Sequence, residues 1–142
     1  FIVMVCNTIH LFYERLQKEI KSPILDLRKA VHKELKKNNI KTATILGTPG
    51  TVEKGLYKFH GIKYLNPSAK EMKHLSDAIF NFNKGLQRNK QVETVRKTCR
   101  KYLQKSEIVV LACTEFGVML SDENLPKIDT IDVLVEAVAN KL

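Results

Sequence analysis

The chain has 142 residues, 44% hydrophobic and 27% charged, the composition of a globular domain with a sizeable core rather than of a disordered or fibrous chain. Its net charge of +9 raises the question of nucleic acid, but Lys18, Lys36, Lys37, Lys54, Lys73, Arg96, Arg100 and Lys105 are spread over predicted helix faces. No aromatic residues interleave with them and no DNA-binding motif is present, so the charge reads as solvated helix faces with weak attraction for anionic metabolites such as dicarboxylates. Neither nucleic acid nor membrane is an expected partner, since no apolar run is long enough to cross a bilayer. Cys6, Cys99 and Cys113 are an odd number without a C-x-x-C pair, which argues against a disulfide framework or zinc site and for a reducing, cytoplasmic setting.

In chain order, Phe1–Val5 has the pattern of a buried strand rather than a signal-sequence stub, and an opening inside a core strand predicts that upstream structure is lacking. A helix is expected over Leu11–Ile20, a short strand at Ile24–Leu25, a helix over Leu27–Lys37 and a strand over Ala43–Leu46. Then come a helix over Thr51–His60, a strand at Lys63–Leu65, and helices over Ala69–Asn83 and Gln91–Gln104. In the last of these Val92, Val95, Cys99, Tyr102 and Leu103 repeat at helical spacing, with Arg96, Lys97, Arg100 and Lys101 facing away. A strand over Ile108–Ala112 and a helix over Ile131–Lys141 close the chain. The strands are apolar almost throughout, as expected where helices cover both faces, and their alternation with helices predicts an α/β fold with a mainly parallel sheet.

Three strands run into similar turns: Cys6-Asn7-Thr8, Gly47-Thr48-Pro49-Gly50-Thr51 and Cys113-Thr114-Glu115. Such turns lie at the carboxyl edge of a parallel sheet, where open α/β proteins bind ligands and where free amide N–H groups attract anions. Three of them suit a ligand with more than one carboxylate. A thiol at a helix N-terminus can be drawn towards thiolate, and two cysteines in matching strand-end turns, each followed by Thr within two residues, point to acid–base chemistry. Cys99, mid-helix on an apolar face, reads as a small hydrophobe.

Cys-Asn-Thr after one apolar strand and Ala-Cys-Thr-Glu after another resemble the paired signatures of the aspartate/glutamate racemase family. Leu46–Thr51 followed by Gly55-Leu56-Tyr57, and the late Pro126-Lys127-Ile128-Asp129-Thr130, are similar to further segments of that family in the same order. The resemblance implies two Rossmann-like α/β lobes with parallel sheets facing a central cleft, each lobe contributing one cysteine. The family's glycine-rich N-terminal turn and the arginine-bearing region after it have no counterpart, so the first lobe is expected to be incomplete. Residues 1–22 and 127–142 are its expected remnant, and residues 23–126 the second lobe.

The resemblance further implies inversion at Cα of an acidic amino acid without pyridoxal phosphate or any other cofactor or metal, in a homodimer. Cys6 and Cys113 match the two acid/base thiols; Asn7, Thr8 and the Ile9 amide match the stretch that holds substrate. Thr48 and Thr114 are expected to bind carboxylate oxygens, and Lys84 to lie near the distal carboxylate. Glu115 is read as favouring its helix N-terminus rather than orienting the thiol. His10 is read as supporting the first turn, and His32, His60 and His74 as structural. A hydantoin or maleate racemase or isomerase, and a non-catalytic ligand-binding module, are the alternatives; Thr-Glu after Cys113 favours the amino-acid branch.

Overall fold

The computed structural model describes all residues, Phe1–Leu142. Its centre is made by β1 (Thr42–Gly47) and β3 (Ile108–Ala112), which are buried along almost their whole length and so are covered on both sides. With β2 (Lys63–Leu65) and β4 (Lys127–Asp129) they form a four-stranded, wholly parallel sheet in the order β2-β1-β3-β4.

Successive strand residues point to opposite faces, and each face has its own core. Ala43, Ile45, Ile108, Val110, Ala112 and Ile128 pack with α2 (Leu27–Lys37) and α7 (Thr130–Ala139). Leu46, Val109 and Leu111 pack with α4 (Ala69–Asn83), α5 (Arg88–Leu103) and α6 (Thr114–Met119). Val109, Val110 and Leu111 are wholly buried, each burial worth about 1.5–3 kcal/mol. The fold is therefore α/β, as expected.

Side-chain caps set the helix starts. Asp26 accepts the Arg28 N–H at α2, Ser68 and Glu71 form a reciprocal capping box at α4, and Asp129 accepts the Ile131 N–H at α7. Cys99 is fully buried on the sheet-facing side of α5, where burial pushes its thiol up to about 12.

Several elements differ from expectation. Phe1–Val5 forms no strand: only Ile2 finds a partner, bridging Ile24, and Phe1 and Val5 stay exposed, because a strand needs a continuous neighbour for its ladder. The next helix starts earlier, as a 3-10 turn over Thr8–Phe12 that continues into α1 (Tyr13–Glu19). The helix expected over Thr51–His60 is only α3 (Pro49–Glu53), since the chain turns at Gly55 with φ +66°.

Residues 127–142, expected in the first lobe, instead add the fourth strand to the sheet, and α7 packs on α2. Ile128 is the physical reason: it is buried beside Val133 and Leu134 in the same core as Val110. Residues 1–22 hold no sheet of their own; Val3 and Leu11 rest against that core too.

Candidate active site

Strand order locates the site. The chain passes from β1 to β2 on one side and then returns to place β3 on the other side of β1, so the sheet's topology reverses between β1 and β3. Crevices form at such points beyond the carboxyl ends of the strands. Those ends are Gly47-Thr48 and Ala112-Cys113, and a cleft of about 240 Å3 opens there. Val5, Cys6, Asn7, Thr8, Thr48, Ile79, Ala112, Cys113, Thr114 and Glu115 line it.

Both cleft cysteines precede helical turns. Cys6 is exposed, two residues before the 3-10 turn; Cys113 is half-buried at the N-cap of α6. Burial first, and then the adjacent Glu115 carboxylate, push the Cys113 thiol up to about 12. Its Sγ donates to Glu115 Oε2 at 3.0 Å. The same oxygen accepts from Thr114 Oγ1 at 2.8 Å, and Asn83 Nδ2 at the end of α4 donates to Oε1 at 2.9 Å. Burial alone would raise the Glu115 carboxyl, but these bonds from Asn83, Cys113 and Thr114 outweigh it and hold the group down to about 2. Glu115 thus both occupies the first turn of α6 and touches the thiol.

Opposite, Asn7 is buried, its Oδ1 accepting from the buried Tyr57 hydroxyl while its Nδ2 has no partner. That leaves a fixed amide with a free donor in a cleft wall. Thr8 Oγ1 lies 2.8 Å from Thr51 Oγ1, which is 3.2 Å from Thr48 Oγ1, and the Thr8–Thr48 pair closes a ring of hydroxyls at 3.4 Å. Hydroxyls and amides offer hydrogen bonds to an anion without adding charge to the cleft.

Of the residues singled out from sequence, Cys6, Asn7, Thr8, Thr48, Cys113 and Thr114 therefore meet in one cleft. Two do not. Ile9 is exposed within the 3-10 turn and lines no part of the cleft. Lys84 caps the end of α4 with Nζ 4.2 Å from the Phe80 ring centre, in an adjoining recess with Ser76, Ile79 and Asn83 that shares Thr48 with the cleft. His10 Nε2–H donates to the Met4 carbonyl at 3.3 Å, a local bond that supports the first turn.

Sequence reasoning missed Asn83, Thr51 and Tyr57 as partners of site residues. Thr51 and Tyr57 lie in the Gly-Thr and Gly-Leu-Tyr segments, a signal that was visible, whereas Asn83 carries none. No group of three or more His, Cys, Asp or Glu is placed to hold a metal ion.

The fold agrees with comparisons to known proteins. The chain is 26% identical over 146 residues to RacX of Bacillus subtilis, a broad specificity amino-acid racemase, covering 96% of this chain and 62% of that protein. The aspartate racemase of Picrophilus torridus superposes with a TM-score of 0.77 at 25% identity, over 97% of this chain and 60% of its own. An aspartate racemase homologue from Pyrococcus horikoshii gives 0.76 at 22% identity, over 97% and 65%. The chain thus spans less than two thirds of the length of each of these relatives. The family model for Asp/Glu/hydantoin racemases matches residues 1–138, and the chain belongs to that family.

Proposed function

We propose that this chain carries the chemistry of an amino-acid racemase in which Cys6 and Cys113 transfer protons at the α-carbon of an acidic amino acid, without pyridoxal phosphate. The observation that carries it is that two cysteines far apart in sequence line one small cleft, with Asn7, Thr8, Thr48 and Thr114 as uncharged hydrogen-bond donors and Glu115 as its carboxylate. One sulfur, as thiolate, takes the α-proton from one face, and the other, as thiol, returns a proton to the opposite face. In the reverse direction the two exchange roles. The unpartnered Asn7 amide and the hydroxyls of Thr8 and Thr48, joined by Thr114 when its hydroxyl turns from Glu115 to the substrate, hold the carboxylate and take up the charge that develops as the α-proton leaves.

RacX and the aspartate racemase among its relatives support an amino-acid substrate. The reading includes a cleft between two lobes, with residues 1–22 in one of them. It also includes a homodimer, for which the exposed Phe1, Val5, Ile9 and Phe12 offer apolar surface.

The test is incubation with a single enantiomer of aspartate or glutamate in deuterated water, following Cα exchange and inversion separately. Exchange with inversion is expected and no added cofactor should be needed. Cys6→Ser and Cys113→Ser should each abolish inversion, since a serine hydroxyl is a far weaker base than a thiolate, while Cys99→Ser keeps it. Near-normal inversion by both single variants would overturn the two-thiol mechanism.

A further inference from the structure

Resting on the two-thiol reading, a further question is whether the cysteines begin the cycle alike. Their surroundings differ. Cys6 is exposed and makes no side-chain hydrogen bond, whereas Cys113 is half-buried with its S–H directed onto a carboxylate oxygen 3.0 Å away. That carboxylate is fixed from two sides, by Asn83 at the end of α4 and by Thr114. We propose that Glu115, clamped by Asn83, is a positioning residue that keeps the proton on Cys113 in the free protein, so that Cys113 starts as the acid and Cys6 as the base.

The physics is local. A carboxylate that accepts an S–H bond is stabilised while the proton stays on sulfur and repelled once it leaves, because two anions then face each other at hydrogen-bond distance. No cation offsets this. The charged groups that raise the Cys113 thiol are Glu115 and then Cys6, both of which line the cleft. From α4 comes the neutral Asn83 amide. From the other elements packed on α6 come the buried Cys99 of α5, and Asp129 before α7, whose carboxylate lies against Gly117 further along the helix. Lys84, next to the clamp, is turned onto the Phe80 ring. An enzyme with two thiols needs one protonated and one not, and this arrangement fixes which is which before substrate arrives.

The consequence is measurable without turnover. In a Cys6→Ser/Cys99→Ala background, iodoacetamide reports the thiolate of Cys113 alone. Alkylation at pH 8 should be slow and should rise only at strongly alkaline pH. Glu115→Gln removes the facing charge and should speed alkylation at pH 8 by at least about tenfold, the equivalent of one pH unit of thiol titration. Asn83→Ala, at an exposed position outside the core, should shift the same profile in the same direction by less. It also serves as the test if Glu115→Gln does not fold.

With Cys6 and Cys99 restored, the alkaline limb of the racemisation pH profile should move to lower pH in Glu115→Gln. An unchanged alkylation profile in both variants, or slower alkylation in Glu115→Gln, would overturn the assignment. The two proposals fail separately: wild-type protein that neither exchanges nor inverts any amino acid defeats the racemase reading, yet the alkylation profile still decides the role of Glu115.

Discussion

Tyr57→Phe removes one oxygen from the molecule, and its cost follows from two contacts. The Tyr57 ring is 1% exposed and sits edge-on to Phe59 with centroids 6.4 Å apart, packing that phenylalanine reproduces. What disappears is the hydroxyl that donates to Asn7 Oδ1. Burial pushes this phenol well above its usual range, so it is a donor at every pH of interest. A buried hydrogen bond contributes about 1 kcal/mol net, and the carbonyl left behind at Asn7, 3% exposed, loses its only side-chain partner at about 1–3 kcal/mol. The expected destabilisation is therefore about 2 kcal/mol.

With a urea dependence of about 2 kcal/mol per molar for a domain of this size, the unfolding midpoint should fall by about 1 M. Asn7→Leu supplies the control, since in that background the buried phenol has no acceptor to lose and Tyr57→Phe should be neutral or stabilising. On the proposed function, racemisation should suffer mainly through a higher KM, because the Asn7 amide is no longer held at one orientation in the cleft wall. A midpoint within about 0.2 M of wild type, at the slope cited above, would refute the accounting.

Two further outcomes concern the frame of the site. A Cβ at Gly117 would stand 1.9 Å from Asp129 Oδ2 and 2.8 Å from its Cγ, so Gly117→Ala must displace the carboxylate that caps α7. Overpacking and a lost cap outweigh the gain in helix propensity, for a net loss of about 1–3 kcal/mol and a Tm lower by about 3–10 °C. In an Asp129→Ala background, where both the clash and the cap are already gone, Gly117→Ala should cost nothing further, and an unchanged Tm in the single variant would contradict the clash.

Glu71 is held down to about 2, first by Lys101 and then by the Ser68 bonds. Its folded value lies below the ordinary 4.5, so its contribution is complete above pH 4.5 and is lost as the pH falls towards 2. Denaturation midpoints of wild type and Glu71→Gln should differ at pH 7 and converge near pH 2; a gap independent of pH would show that the carboxylate's charge is not what matters.

What could be read in the sequence was set by how local the determining signal is. Ile108–Ala112 announces a doubly covered strand by itself, and Cys113 follows it, so both the central strand and its thiol were legible. Thr48 and Thr114 were legible for the same reason, since turns after buried strands meet at one sheet edge, whereas Asn7 was reached through its motif, because no strand precedes it. Phe1–Val5 carries the same apolar signal but has only Ile24 to bridge, and strand formation depends on a neighbour that composition does not reveal.

Lys127–Asp129 erred the other way: with two charged residues in three it shows no strand pattern, and β3 alone recruits it. Lys84 was placed by resemblance, but the Phe80 ring one helical turn earlier holds its ammonium beside the cleft rather than in it. Asn83 could not be found, because its role exists only once α4 and α6 are packed side by side.

The pairing of β1 with β3 has a consequence for how the cleft is completed during folding. Ala43 to Gly47 align with Ile108 to Ala112, partners about 65 residues apart along the chain. Contacts this distant form late and slowly, since the intervening loop must close before any of them is rewarded. Thr48 and Cys113 sit one residue past the ends of that ladder, so their juxtaposition is created by its last rung. During refolding, recovery of the paired-thiol cleft should accordingly trail the appearance of helical signal from α4 and α5, whose adjacent segments need no such closure. On the proposed function, proton exchange at Cα is then a clock for completion of the central sheet, and no isolated stretch of the chain can carry it.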